Sequence, residues 1–141
     1  MPRAHRRLGV TLLELLLVLG IVGLVAASAW PALRPLHARW AVRQARDDLH
    51  LLLAAARWRA VAHQTTVTIR FATDGSVRAE SAAWHITRSL AEAYGVTLRA
   101  NRSAIAYGAD GLGVGAANVS IELRRGDARD SVVVSRLGRA R

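Results

Sequence analysis

The feature that most constrains this chain is an apolar run near its start, LGVTLLELLLVLGIVGLVAASAWP from Leu8 to Pro31. From Val10 to Ala29 it is almost wholly apolar, and it matches the ~20 residues an α-helix needs to cross ~30 Å of hydrocarbon. One charge interrupts it, Glu14. A carboxylate within a membrane span costs roughly 2.5–3.5 kcal/mol on insertion scales, so it marks function by default. Arg3, His5, Arg6 and Arg7 lie just before the run. A basic N-terminal flank is expected to put residues 1–9 in the cytoplasm and everything after Pro31 outside it. A cleaved secretory signal has an apolar core of only about 7–15 residues followed by a small-residue cleavage site. This core is longer and carries Glu14. A plain signal anchor fits the length but gives Glu14 no task.

The basic leader followed by Gly9-Val10-Thr11-Leu12-Leu13-Glu14 resembles the signal of type IV prepilins and type II secretion pseudopilins. The resemblance implies three segments: a leader at 1–9, a transmembrane and filament-core helix at 10–30, and a periplasmic domain at 31–141. It also implies that prepilin peptidase cuts between Gly9 and Val10 and that Val10 is then N-methylated. The usual first residue of the mature family member is Phe, and Val10 departs from that. Cleavage would leave an ammonium on Val10 at the membrane boundary near Glu14. Opposite charges taken out of water offset each other's desolvation, and breaking such a pair is costly. In the family the Glu meets the amino terminus of a neighbouring subunit, so Glu14 is expected to set assembly register. The Gly20, Gly23, Pro31 and Pro35 spacing permits the helix to loosen there, as in related pilins; Gly and Pro are also common in membrane helices generally.

The rest of the chain, within 141 residues, has room for one domain of roughly a hundred residues. Cys is absent, which excludes disulfides, thiol chemistry and a Cys-based zinc site. Removing residues 1–9 takes away three Arg and no acid, so the net +10 of the full chain falls to +7. Every cation besides His is Arg, whose fork binds phosphate and carboxylate bidentately where Lys acts as a point charge.

Helical periodicity continues from Leu33 to about His63. Leu49, Leu52, Leu53, Ala56 and Ala60 form a stripe that needs a sheet to cover it. Arg39, Arg43 and Arg46 form a solvated stripe, with Asp47 in reach of Arg43 at i,i+4. Trp40 and Trp58 share one face, as core or subunit-contact anchors rather than base-stacking platforms. Alternation then predicts strands at 66–71, 76–80, 84–87, 96–99, 104–107, 118–123 and 131–136. A short helix is expected at 89–94, ended by Gly95, and a mobile loop at 107–115. The expected class is α+β: a long N-terminal helix packed on antiparallel sheets.

Ala55 to His63 running into the Thr66–Phe71 strand, with Asp110-Gly111 and the ending Val132 to Arg141, resembles the H-type pseudopilins, the GspH/FimT family. That resemblance implies a minor pilin or pseudopilin whose partners are prepilin peptidase, other pilin subunits and the inner membrane. Its members serve type II secretion or type IV pili, some of the latter in DNA uptake. The DNA-uptake members carry a C-terminal G-R-x-R matched by Gly138, Arg139 and Arg141. With Arg136 these are the candidate DNA-binding residues, on a tail that Gly138 is expected to free; a frayed, solvated basic end is the alternative. No enzyme is indicated. The Gly111-x-Gly113-x-Gly115 run lacks a following helix or a GKS/T signature. His50 and His63 fall on different helix faces, and no metal or cofactor is expected. No Ser/His/Asp set has a local signature.

The processing expectation has a direct check. Gly9→Val is expected to leave a precursor that retains residues 1–9, read by intact mass of membrane-extracted protein. A normal mature mass would overturn the prepilin resemblance.

Overall fold

The computed structural model describes residues 11–115 and 118–141, with the side chains of 29–32 left aside. The leader and the Gly9–Val10 junction lie outside the described residues. A long helix, α1 (Leu12–Ala62), opens the fold. It is followed by β1 (Val67–Phe71), β2 (Ser76–Ser81), β3 (Trp84–Ser89), α2 (Leu90–Tyr94), β4 (Thr97–Ala100), β5 (Ala104–Tyr107), β6 (Gly113–Val114), β7 (Val119–Arg125) and β8 (Ala128–Val134). The chain divides into two compact units between Arg34 and Pro35.

In the first unit every described side chain from Thr11 to Ser28 is exposed, Leu12 to 79% and Leu24 to 74%. A helix apolar all round is one whose partners are lipid or other helices. By length and composition no single helix among the described residues qualifies as a membrane span. The segments Leu12–Ser28 and Leu33–Ala62 qualify only when taken together.

The second unit carries its own core. Its strands pair antiparallel in two sheets, ordered β3-β2-β1-β5-β6 and β4-β7-β8. Alternation fixes which face of each strand is inside: Val67, Ile69 and Phe71 of β1 are buried while Arg70 is exposed, and Val119, Ile121 and Leu123 of β7 are buried while Ser120 and Glu122 are exposed. One buried cluster joins both sheets to the expected helix stripe, Leu49, Leu52, Leu53, Ala56 and Ala60. Three alanines of this helix, Ala45, Ala56 and Ala60, are fully buried. Small side chains at these points let strands lie close to the helix backbone, while Leu49 and Leu53 fill the space between. Truncating a leucine buried this completely costs about 2–5 kcal/mol in comparable cores.

α2 forms where expected because both its ends are capped. The Ser89 hydroxyl accepts from the Glu92 N–H at 3.2 Å, and Gly95, left-handed at φ 64°, donates its N–H to the Ala91 carbonyl at 2.8 Å. Arg125 Nη1 adds a bond to the Tyr94 carbonyl at 2.7 Å, and the Tyr94 hydroxyl reaches Asp48 on α1 at 3.4 Å.

Two expectations differ from the fold. The segment 107–115 is not a loose loop but a tight connection into β6, which pairs Ala106 with Val114 and Tyr107 with Gly113. Gly111 donates to the Gly108 carbonyl, Gly108 to the Leu112 carbonyl, and the Asp110 carboxylate accepts from the Leu112 N–H. The last hairpin is also tighter than the expected strands at 118–123 and 131–136, with β7 running on to Arg125, β8 spanning Ala128–Val134, and the two joined across Gly126-Asp127. Arg129 and Asp130 extend the ladder because a two-residue Gly-containing turn already reverses the chain.

Candidate functional site

Gly9 and Val10, the expected cleavage and methylation residues, lie outside the described residues. Glu14 stands in the first turn of α1, exposed. Its backbone N–H is capped by the Thr11 hydroxyl oxygen at 3.2 Å, and the Thr11 carbonyl accepts from Leu15 at 3.2 Å. Thr11-Leu12-Leu13-Glu14 is therefore also a T-x-x-E helix-start signature, a signal present in the sequence and missed there. An acid at this position additionally favours the positive end of the helix dipole. The local geometry thus gives Glu14 a helix-start role alongside the expected assembly role.

The basic tail departs from both expectations placed on it: it is neither frayed nor freed by Gly138. Beyond β8 the chain turns and folds back, so that Ala140 bridges to Val134. Val133 and Arg141 exchange two backbone bonds of 2.9 Å, and Ser135 donates to the Arg139 carbonyl at 2.8 Å. The Ser135 hydroxyl accepts from the Arg139 N–H at 3.2 Å, and the Arg136 carbonyl accepts from Gly113 of β6 at 3.1 Å.

Gly138 is the pivot of this hairpin, for a reason other than flexibility. Its φ is +73°, and a Cβ there would collide with the Gly111 carbonyl oxygen and press within 3.2 Å of the Tyr107 ring and 3.4 Å of Arg57 Nε. Arg57 in turn donates from Nε to that same Gly111 carbonyl at 2.9 Å. The glycine is buried, whereas Arg136, Arg139 and Arg141 are exposed. The tail is a backbone-clamped hairpin carrying three exposed guanidinium groups.

Beside it α1 presents an exposed face. Trp40 is 65% and Trp58 68% accessible, so neither is a core anchor. Sequence spacing placed them on one face but could not say that the buried stripe would lie on another. Trp58, Leu51, His50 and Arg57 line a groove of about 970 Å³ whose other wall includes Arg139 and Arg141. Tyr107 lies at this groove as well. Burial pushes its phenol up to about 12, against the opposing effect of the Arg57 cation.

The Arg stripe is divided. Arg39 and Arg43 are exposed, while Arg46 is half-buried and reaches Asp130 of β8 at 3.6 Å. Arg46 Nε has no hydrogen-bond partner. Asp47 and Arg43 do not form the expected ion pair; among the described residues the ion pairs are Arg46–Asp130 and those of Glu80 with Arg70 and Arg78. An exposed i,i+4 pair gains only ~0.3–0.5 kcal/mol, too little to hold two long side chains together against their entropy. No group of three His, Asp or Glu side chains among the described residues converges to hold a metal ion.

A long helix with a capped acidic start, followed by strands paired antiparallel in two sheets, is an α+β arrangement of the pilin-like kind. Residues 4–30 match the prokaryotic N-terminal methylation motif. The fold is that of the type IV minor pilin FimU of Pseudomonas aeruginosa. One crystal form of FimU aligns with a TM-score of 0.61 at 16% identity over 71% of this chain and 86% of that one. A second crystal form gives 0.58 at 16% identity over 70% and 90%. No curated protein matches the sequence significantly.

Tyr107 offers a test of the packing beneath the tail. An unfolded tyrosine ionises near pH 10, whereas Tyr107 in the fold holds its proton to about 12. Its folded value is raised, so native stability is full below about pH 10 and falls as pH rises toward about 12, by roughly 2–3 kcal/mol. Tyr94, also raised by burial, adds to the same trend. Tyr107→Phe is expected to flatten the loss across this window in denaturant melts, and an unchanged slope would contradict the burial.

Proposed function

We propose that the chain is a minor subunit of a secretion pseudopilus or a type IV pilus. In this reading prepilin peptidase cuts between Gly9 and Val10, residues 10–30 anchor the mature chain in the inner membrane and later enter a filament, and residues 31–141 form the periplasmic domain. The observation that carries it is the conjunction of a methylation motif at residues 4–30 with an α1 whose described side chains from Thr11 to Ser28 are all exposed, on a pilin-like fold. Such a surface is costly in water and is satisfied either by lipid or by the matching helices of other subunits, which is the exchange that filament assembly requires.

Glu14 gives the test. Glu14→Ala removes an acid from the apolar stretch, so the protein is expected to be cleaved normally and to stay in the membrane. It is expected not to co-purify with filaments, because a neighbour's Val10 ammonium has lost its counter-charge. Incorporation at the wild-type level would overturn the assembly role.

A second reading, DNA capture by the tail, is favoured by one observation: Arg136, Arg139 and Arg141 are exposed on a hydrogen-bonded hairpin and not on a loose end. Phosphate contacts release counterions, giving a log–log salt slope of about −0.9 per contact on duplex DNA. In the detergent-solubilised full chain, Arg139→Gln/Arg141→Gln is expected to weaken duplex binding and make that slope shallower by about 2. Identical binding by the double variant would leave the tail a purely structural element.

A further inference from the structure

The groove between α1 and the tail hairpin has the composition of a site for unpaired bases. Trp58 is 68% exposed although an indole is among the costlier side chains to leave in water. It lines the same groove as Arg139 and Arg141, with His50 and Leu51 beside it and Asp47 as the one carboxylate side chain among the lining residues. Arg57, also a lining residue, donates through Nε to the Gly111 carbonyl and keeps its charge, so it adds to the positive field of the tail arginines at the groove. The hairpin that carries them is clamped to Val133 and Ser135 by five backbone and side-chain bonds, so the backbone beneath the two arginines is fixed at the rim of the groove that Trp58 also lines.

We propose that this groove binds single-stranded nucleic acid, with a base stacked on Trp58 and the flanking phosphates on Arg139 and Arg141. The proposal rests on the DNA-capture reading of the tail and adds to it the preferred strand state and the residue that sets it. Phosphates alone do not distinguish one strand from two. An exposed indole does, because only an unpaired base offers it a free face, whereas duplex bases are already stacked on their neighbours. A cationic track beside an aromatic platform is the general chemistry of sequence-tolerant single-strand binding. The cationic rim disfavours a basic or neutral partner helix on this face, and an acidic helix is the competing occupant that the test separates.

The test uses the detergent-solubilised full chain with fluorescent oligo(dT) and a duplex of equal length at low salt. Wild type is expected to bind oligo(dT) more tightly than duplex. Trp58→Ala is expected to weaken oligo(dT) about tenfold and duplex little, Trp58→Phe to restore most of the loss, and Arg139→Gln/Arg141→Gln to weaken both. Because Trp58 is exposed, its variants are expected to keep the wild-type melting curve, which is recorded alongside. If duplex binds as well as oligo(dT), or if Trp58→Ala binds oligo(dT) like wild type while the arginine variant does not, the stacking site is wrong and tail capture of DNA stands. If wild type binds neither probe, the proposal and the DNA reading fall together, and the face is left to a protein partner.

Discussion

The fold depends on what one helix does with its small residues. Ala45, Ala56 and Ala60 are fully buried and flank Leu49 and Leu53 along α1. Their shortness sets the distance at which the strands can pack, and the leucines fill the interior that this distance leaves. β1 and β7 each offer three buried apolar side chains to the same cluster, so the two sheets share a core without sharing a strand pair. Replacing any of the three alanines by a larger residue forces strands outward, an overpacking cost of about 1–3 kcal/mol. The helix is the common wall, and every functional surface of the second unit is placed with respect to it.

The N-terminal part of the same element solves a different problem. From Leu12 to Val25 its leucines, valines and isoleucine stand exposed on all sides, which no water-soluble domain tolerates over such a length. Thr11 starts the helix cleanly by accepting from the Glu14 N–H. The acid therefore sits in the first turn of α1, where the helix dipole favours it.

Much of this was legible from residue order alone. Strands such as Val67–Phe71 announce themselves by alternation, and α2 by Ser89 and Gly95 at its ends. The buried stripe of α1 was readable because a helix of this length repeats its pattern several times. What escaped were features without a side-chain period. β6 is a glycine and a valine, too short to alternate, and it exists because β5 offers an open edge. The division into two sheets depends on β1 pairing with β5 across thirty-odd intervening residues, which local pattern does not encode. The exposure of Trp58 follows from which stripe the sheets chose to cover, a tertiary outcome.

The tail shows most clearly how a correct motif can carry a wrong mechanism. A glycine before two arginines reads as a hinge, yet Gly138 is buried at φ +73° against the Gly111 carbonyl and the Tyr107 ring. Its missing Cβ makes room for backbone to pass over backbone, which fastens the chain. A fastened hairpin has a thermodynamic consequence for any anionic ligand. Ordering a long side chain on binding costs about 0.5–1.5 kcal/mol, and ordering the backbone beneath it costs more. In this tail the backbone share has already been met by the bonds to Val133 and Ser135, so only the guanidinium rotamers remain to be fixed. Three exposed arginines on such a hairpin are a better anion site than the same three on a free end, and the residue responsible for the difference bears no charge at all.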